Sequence, residues 1–485
     1  MNSKNIAPEK QAVFDYLDSN AEALAGLGDS IFYFAELGMQ EFETVDLMTN
    51  LLGDAGFAIE REVSGFPTAF IASYGSGRPV IAIHTEYDAN PKNSQRSGVP
   101  EQSEIEPGAP GHCEGHNVNA AVMVSAALSI KKQIDASGLT GTIRIIGAPA
   151  EEQLLSRPYF VRDGHFDDVD VAFHDHVDSE FKSDYGLMQT AVVSAEFIFH
   201  GEPAHAAKAP WKGRDALDAV MLMDTGMAQY REHMEPTMTA HRVITDGGDQ
   251  PNVIPARAAV WWYFRGPTAD IARRLFEQGK RIAEGAALMT NTELEIDVRS
   301  AVWPVRANQT LAEIVQRNAE LIGMPEWSEM EQQLARTVQE KVGVEAVGLR
   351  PATTPLKGPS AQIAASNDCG DVSWVVPMGR VRFPANIPNI GYHHWAAGVS
   401  LATSIAHKGG LAGAKALAAS VIDLLLDPDL VDAAKGTFKE ELGGVAYESL
   451  LPPGQKPPLE LNRSIMEKFR PAMRNHYLKD APRFT

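Results

Sequence analysis

Val80-Ile81-Ala82-Ile83-His84-Thr85-Glu86-Tyr87-Asp88 decides the reading of this 485-residue chain. A short apolar run, mostly β-branched, passes straight into ionisable side chains. Such runs read as buried strands. Two others have the same form. Ile143-Arg144-Ile145-Ile146 leads to Pro149-Ala150-Glu151-Glu152, and Val169-Asp170-Val171-Ala172-Phe173 leads to His174-Asp175-His176-Val177-Asp178. A helical stretch, 119–134, separates the first two strands. Strands alternating with helices predict an α/β fold, a mostly parallel sheet between helices. In such sheets ligands bind outside the carboxyl ends of the strands, where all three ionisable clusters would meet.

Upstream, residues 8–56 read as helical from apolar residues at three- and four-residue spacing, Ile31, Phe34, Leu47 and Leu51 among them. Downstream the pattern changes. A strand at 192–199, a helix at 215–231, strands at 241–245 and 258–264, a helix at 268–289 and a strand at 293–298 give the order βαββαβ. That order is the ferredoxin-like unit. The expected organisation is a discontinuous catalytic domain, 1–188 and 301–430, an inserted domain, 189–300, and a C-terminal tail, 431–485. Stretches 350–360 and 382–391 read as turns, 411–426 as a strong helix, and 451–459 as a proline-rich linker to a short polar tail.

With 43 basic and 63 acidic residues the net charge is −20, which disfavours nucleic acid and anionic membrane as partners. Two cysteines, Cys113 and Cys369, build no disulfide scaffold or paired-thiol zinc site. The opening Met1-Asn2-Ser3-Lys4-Asn5 lacks the apolar core of a signal peptide, and no span of about 20 apolar residues stands out. The expectation is a cytoplasmic protein.

Two further clusters, His112-Cys113-Glu114-Gly115-His116 and His393-His394-Trp395, add imidazole and carboxylate. This is the ligand chemistry of Zn²⁺, Mn²⁺ and similar ions. One ion takes about four ligands. The surplus suits a two-metal site with ions ~3.5–4 Å apart. No GxSxG elbow, phosphate loop or GxGxxG fingerprint is present, and HxExH is not the zincin HExxH.

The motifs Glu114-Gly115-His116-Asn117, Pro149-Ala150-Glu151-Glu152, Gly201-Glu202-Pro203-Ala204-His205-Ala206 and Pro251-Asn252-Val253-Ile254-Pro255 occur in one order. So do Asp368-Cys369-Gly370-Asp371-Val372-Ser373-Trp374 and Ala406-His407-Lys408-Gly409. Together, over about residues 20–430, they resemble the dinuclear metallopeptidases that include aminoacylases, hippurate hydrolases, auxin-conjugate hydrolases and carboxypeptidase G. The late motifs resemble the aminobenzoyl-glutamate utilisation branch.

The resemblance implies two divalent ions per subunit, Mn²⁺ or Zn²⁺, held by Glu114, His116, Glu152, His176 and His393. It implies Glu151 as general base, with His205 and Asn252 of the inserted domain polarising the scissile carbonyl. It further implies a homodimer in which His205 serves the partner's site, or a homologous partner subunit. The implied reaction is cleavage of an N-acyl or N-aroyl amino acid such as p-aminobenzoyl-glutamate. The family pattern has Cys-Gly-His where this chain has Glu114-Gly115-His116. A carboxylate ligand there favours Mn²⁺; a Glu114 turned away leaves one ion. Asp88 is positioned to orient a ligand histidine. His174 rivals His176, and His394 rivals His393. Arg265 could pair with a substrate carboxylate or be a strand-end surface arginine. Trp261, Trp262 and Tyr263 could line an aromatic pocket. Rival functions are a hydrolytic deaminase on an aromatic substrate and a metal-poor accessory subunit.

Overall fold

The computed structural model describes residues 6–485; the polar opening at 1–5 lies outside them. Its larger sheet has six strands, β1 (Ala58–Arg61), β2 (Phe70–Ser76), β3 (Val80–Thr85), β4 (Gly141–Gly147), β5 (Val171–Asp178) and β12 (Met378–Pro384). Their order is β1-β2-β4-β3-β5-β12. β3 pairs parallel with β4 and β5, and β5 parallel with β12, while β1 and β2 form an antiparallel edge. Every residue of β3 is buried. Burial on both faces explains why it reads as an unbroken apolar run.

The helix His116–Ser137 carries the chain from the site back across the sheet and packs against Ser404–Leu426. Glycines permit the close approach of the latter. A Cβ on Gly409 would sit 2.1 Å from the Pro384 carbonyl oxygen, and one on Gly413 2.6 Å from Phe383. Here the sequence reading falls short. Ser404–Leu426 has the length and mean hydropathy, 1.5, to cross a bilayer, but 78% of that window is buried in the protein. It is a core helix.

The inserted unit has strands β7 (Ala191–His200), β8 (Thr239–Asp246), β9 (Arg257–Gly266) and β10 (Glu293–Val302) in the antiparallel order β10-β7-β9-β8. Helices Ala216–Tyr230 and Ala269–Thr290 complete βαββαβ. Asp215 caps the first helix and Thr268 the second, each accepting from backbone N–H groups in the opening turn. A small ribbon, β6 (Gly186–Leu187) with β11 (Arg306–Ala307), lies where the chain enters and leaves.

Four details differ from the sequence reading. The helical 8–56 is three helices, Pro8–Ser19, Ala21–Phe34 and Phe42–Asp54. His174, Asp175 and His176 lie inside β5 rather than after it, because pairing with β12 extends the ladder. Arg382 accordingly belongs to a strand, not a turn. The polar tail is also structured. Helix Arg463–Met473 buries Met466 and Met473 against Leu37, Ala89 and Ala109, and Arg470 pairs with the buried Glu36. An amphipathic helix of this kind looks polar by composition because only one narrow face is covered.

Candidate metal centre

Five segments converge at the carboxyl ends of the parallel strands. β3 delivers Glu86 and Asp88, β5 delivers His176, and the N-terminus of His116–Ser137 delivers Glu114 and His116. Between Glu114 and His116 only glycine fits. Gly115 has φ +109°, and a Cβ there would meet Val177 Cγ1 at 2.4 Å. After β4, Ala150 and Leu154 both take φ +58° and bracket Glu151 and Glu152. His393 is held at φ +60°. Positive φ at non-glycine residues costs energy and concentrates at functional sites.

Three sets of donors lie close enough to share an ion, all atoms within 4.8 Å of one another: Glu86/His116/His176, Glu114/Glu152/His393 and His116/Glu151/Glu152. His393 Nε2 sits 2.8 Å from Glu114 Oε2 and 3.2 Å from Glu152 Oε2. His176 Nε2 is 3.7 Å from Glu86 and 3.9 Å from Glu114. Its Nδ1 lies 2.8 Å from the Val177 carbonyl, so donation there leaves Nε2 as a lone pair facing the cluster. Similarly His116 Nδ1 is 3.1 Å from the Asp88 carbonyl and 3.3 Å from Asp88 Oδ1. Asp88 also accepts the Glu152 backbone N–H at 3.0 Å. It thus orients two donors at once, as outer carboxylates of metal sites do.

Each rival histidine has another task. His174 Nε2 lies 3.0 Å from both oxygens of Glu86, and His394 Nδ1 accepts the Ala396 N–H at 3.3 Å. Cys113 is buried and donates to Asn90 Oδ1 at 3.2 Å; burial pushes its thiol up, the wrong direction for a nucleophile.

The donor set fits divalent cations. His116 Nε2 and Glu152 Oε1 are buried with no hydrogen-bond partner in the chain. Burial raises the Glu151 carboxyl well above its ordinary range, reinforced by the charges of Glu86 and Glu152. Burial and the Glu114 charge raise Glu152 to about 7. For Glu114 itself burial acts upward, yet the His393 hydrogen bond and the histidine charges outweigh it and hold the carboxyl at about 2. Crowded buried carboxylates of this kind are relieved by a cation.

Behind the cluster lies a buried ion network. The Arg157 guanidinium, fully enclosed, donates to both Glu86 and Asp368, and its Nε–H donates to His84 Nδ1 at 3.0 Å. Arg157→Met would leave two carboxylates buried without their cation. The expected loss is about 3–5 kcal/mol of unfolding free energy, read by chemical denaturation; a change below about 1 kcal/mol would show that the network relaxes without it.

A cavity of about 640 Å³ opens over the cluster, lined by Glu114, Glu151, Glu152, His176 and His393 and roofed by His241, Tyr263 and Arg265 of the inserted unit. Arg265 is therefore a cavity residue, donating to Ser366 Oγ at 2.7 Å and lying over the Tyr263 ring. Trp262, by contrast, is wholly buried core. Neither His205 nor Asn252 lines this cavity. They sit together on the exposed face of the inserted unit, where the His205 and Val253 backbones bridge and Asn252 O accepts the Ala206 N–H at 3.1 Å. Sequence reasoning missed Glu86 as a donor and did not see Arg380 and Arg382, which also line the cavity.

Known proteins resemble the chain throughout. The profile of a peptidase dimerisation domain matches residues 188–291. A p-aminobenzoyl-glutamate hydrolase polypeptide of Escherichia coli (strain K12), one of the two kinds that make up that enzyme, is 34% identical, over 92% of this chain and 99% of its own. The Xaa-Arg dipeptidase of Mus musculus is 28% identical over 89% and 93%. Among solved structures, a dinuclear metal binding peptidase of the M20 family from Bacillus subtilis aligns with TM-score 0.53 at 19% identity, covering 84% of this chain and 99% of that one. That likeness is one of fold.

Proposed function

Because the chain belongs to the M20 peptidase family and is a peptidase-like amidohydrolase, we propose that it cleaves the amide bond of an N-acyl or N-aroyl amino acid in a metal-dependent reaction. The observation that carries the reading is the buried, partnerless His116 Nε2 facing carboxylates that repel one another unless a cation joins them. Glu114, His116, Glu152, His176 and His393 would hold two divalent ions, with Glu86 a further oxygen donor. When bound, such ions polarise a carbonyl and lower the pKa of water from 15.7 to about 7.

The chain's own residues do the rest. Glu151, in the cavity wall, takes the proton of the attacking water on its carboxylate and returns it to the leaving nitrogen. Arg265 pairs with the substrate α-carboxylate. His205 Nδ1 accepts the backbone N–H groups of Ala207 at 3.2 Å and Lys208 at 3.4 Å, which leaves the ring proton on Nε2. An outward-facing N–H is what a developing oxyanion requires, and Asn252 beside it supplies a second donor. Since neither residue lines the cavity of its own chain, the complete site is proposed to form between two subunits. The matched dimerisation domain supports assembly with a second copy or a homologous chain.

Elemental analysis of the purified protein, combined with a panel of N-acyl and N-aroyl amino acids, tests the reading. Close to two equivalents of divalent metal and chelator-sensitive release of the free amino acid are expected. Full activity in metal-free protein would overturn it, and ammonia release from an aryl amine instead would identify a deaminase.

A further inference from the structure

β12 lies beside β5 in parallel register, with Arg380 opposite His174 and Arg382 opposite His176. Side chains two apart share one face of a strand, so both arginines look the same way as the two histidines. Both line the cavity. Arg380 is 2% exposed, and its Nε and that of Arg382 are buried without a hydrogen-bond partner. Among the described residues neither guanidinium makes a side-chain hydrogen bond. Asp184 Oδ2, the nearest carboxylate to Arg382, stands 3.6 Å from its Nε. The backbone beneath is fixed: Arg382 exchanges backbone hydrogen bonds with Lys182, and the Arg380 carbonyl accepts from Ser183 Oγ at 2.6 Å. Burial, and then the charge of Arg382, lowers Arg380 to about 10, the mark of a cation lacking its counter-ion. Buried charges are ordinarily paired, so a rigid, unpaired pair facing a cavity is an anion site.

The metal-type cluster stands between this pair and Arg265. Tyr263, beneath Arg265, faces Glu151 and Glu152, whereas Arg382 faces His176 on the far side. A substrate whose α-carboxylate meets Arg265 and whose amide lies at the cluster extends its acyl half toward β12. Resting on the amidohydrolase reading above, we propose that Arg380 and Arg382 form an anion subsite for a carboxylate on the acyl half of the substrate. The preferred substrates are then dianionic N-acyl amino acids with one carboxylate on each side of the scissile amide.

The test compares N-succinyl-alanine with N-butanoyl-alanine, which differ in the terminal acyl carboxylate, on the metal-loaded protein. The succinyl compound should be favoured about 10–100-fold in kcat/KM, the scale of a charge-assisted contact. Arg382→Gln should abolish the preference through KM of the succinyl compound alone, and Arg382→Lys should restore part of it. In parallel, calorimetry should show succinate binding about tenfold or more tighter than butyrate to the unmodified protein, a comparison that needs no variant. Equal handling of both pairs, or an equal loss on both substrates in Arg382→Gln, overturns the subsite. Cleavage of neither compound would count against the amidohydrolase reading, while the succinate–butyrate difference would still decide the subsite.

Discussion

Glu151→Gln should lower kcat by a factor of about 10² or more, with metal content unchanged. Glutamine keeps the shape and one oxygen of the side chain but cannot carry a proton between water and the leaving nitrogen. On the rate scale a factor of 10² is about 2.7 kcal/mol of transition-state stabilisation. Its neighbour should behave differently. Glu152 is held by Asp88 through its backbone N–H, and its carboxylate sits 3.2 Å from His393 and shares a donor set with Glu114. Glu152→Gln should therefore reduce metal occupancy and lose activity as a consequence, with partial rescue by excess metal. Metal analysis beside steady-state kinetics on both variants checks the assignment. Occupancy lost in Glu151→Gln and kept in Glu152→Gln would reverse the two roles.

The pair was visible in the sequence because a buried strand ending in Glu-Glu is chemically conspicuous. The same holds for the parallel sheet and the βαββαβ insertion, whose hydrophobic periods differ and whose caps, Asp215 and Thr268, are local signals. Other parts are non-local. Glu86 looks like any acid after a strand until β5 brings His176 to 3.7 Å. Arg380 and Arg382 sit in a run dense in glycine and proline, Met378-Gly379-Arg380-Val381-Arg382-Phe383-Pro384, that reads as a turn. It becomes a strand only by pairing with β5. The choice between His174 and His176 was open for a related reason. Residues two apart on a strand share a face, and only the depth of Glu86 and Arg157 behind His174 separates them.

The exposed position of His205 leads to the most demanding expectation. Glu151 lines a cavity of its own chain, whereas His205 stands outside it on the face of the inserted unit. If His205 completes the partner's site, each active centre combines Glu151 of one subunit with His205 of the other. Glu151→Gln and His205→Ala should each be nearly inactive as homodimers. In a mixed dimer one site loses both groups, but the other joins an intact Glu151 to an intact His205. Random exchange of equal amounts makes roughly half of the dimers mixed, each with one working site of two, so activity should recover to roughly a quarter of the unmodified level. Differently tagged chains report whether exchange has occurred. Exchange without recovery would place His205 in the service of its own chain, or of no site, and would leave the cavity to work with Arg265 and the donor cluster alone.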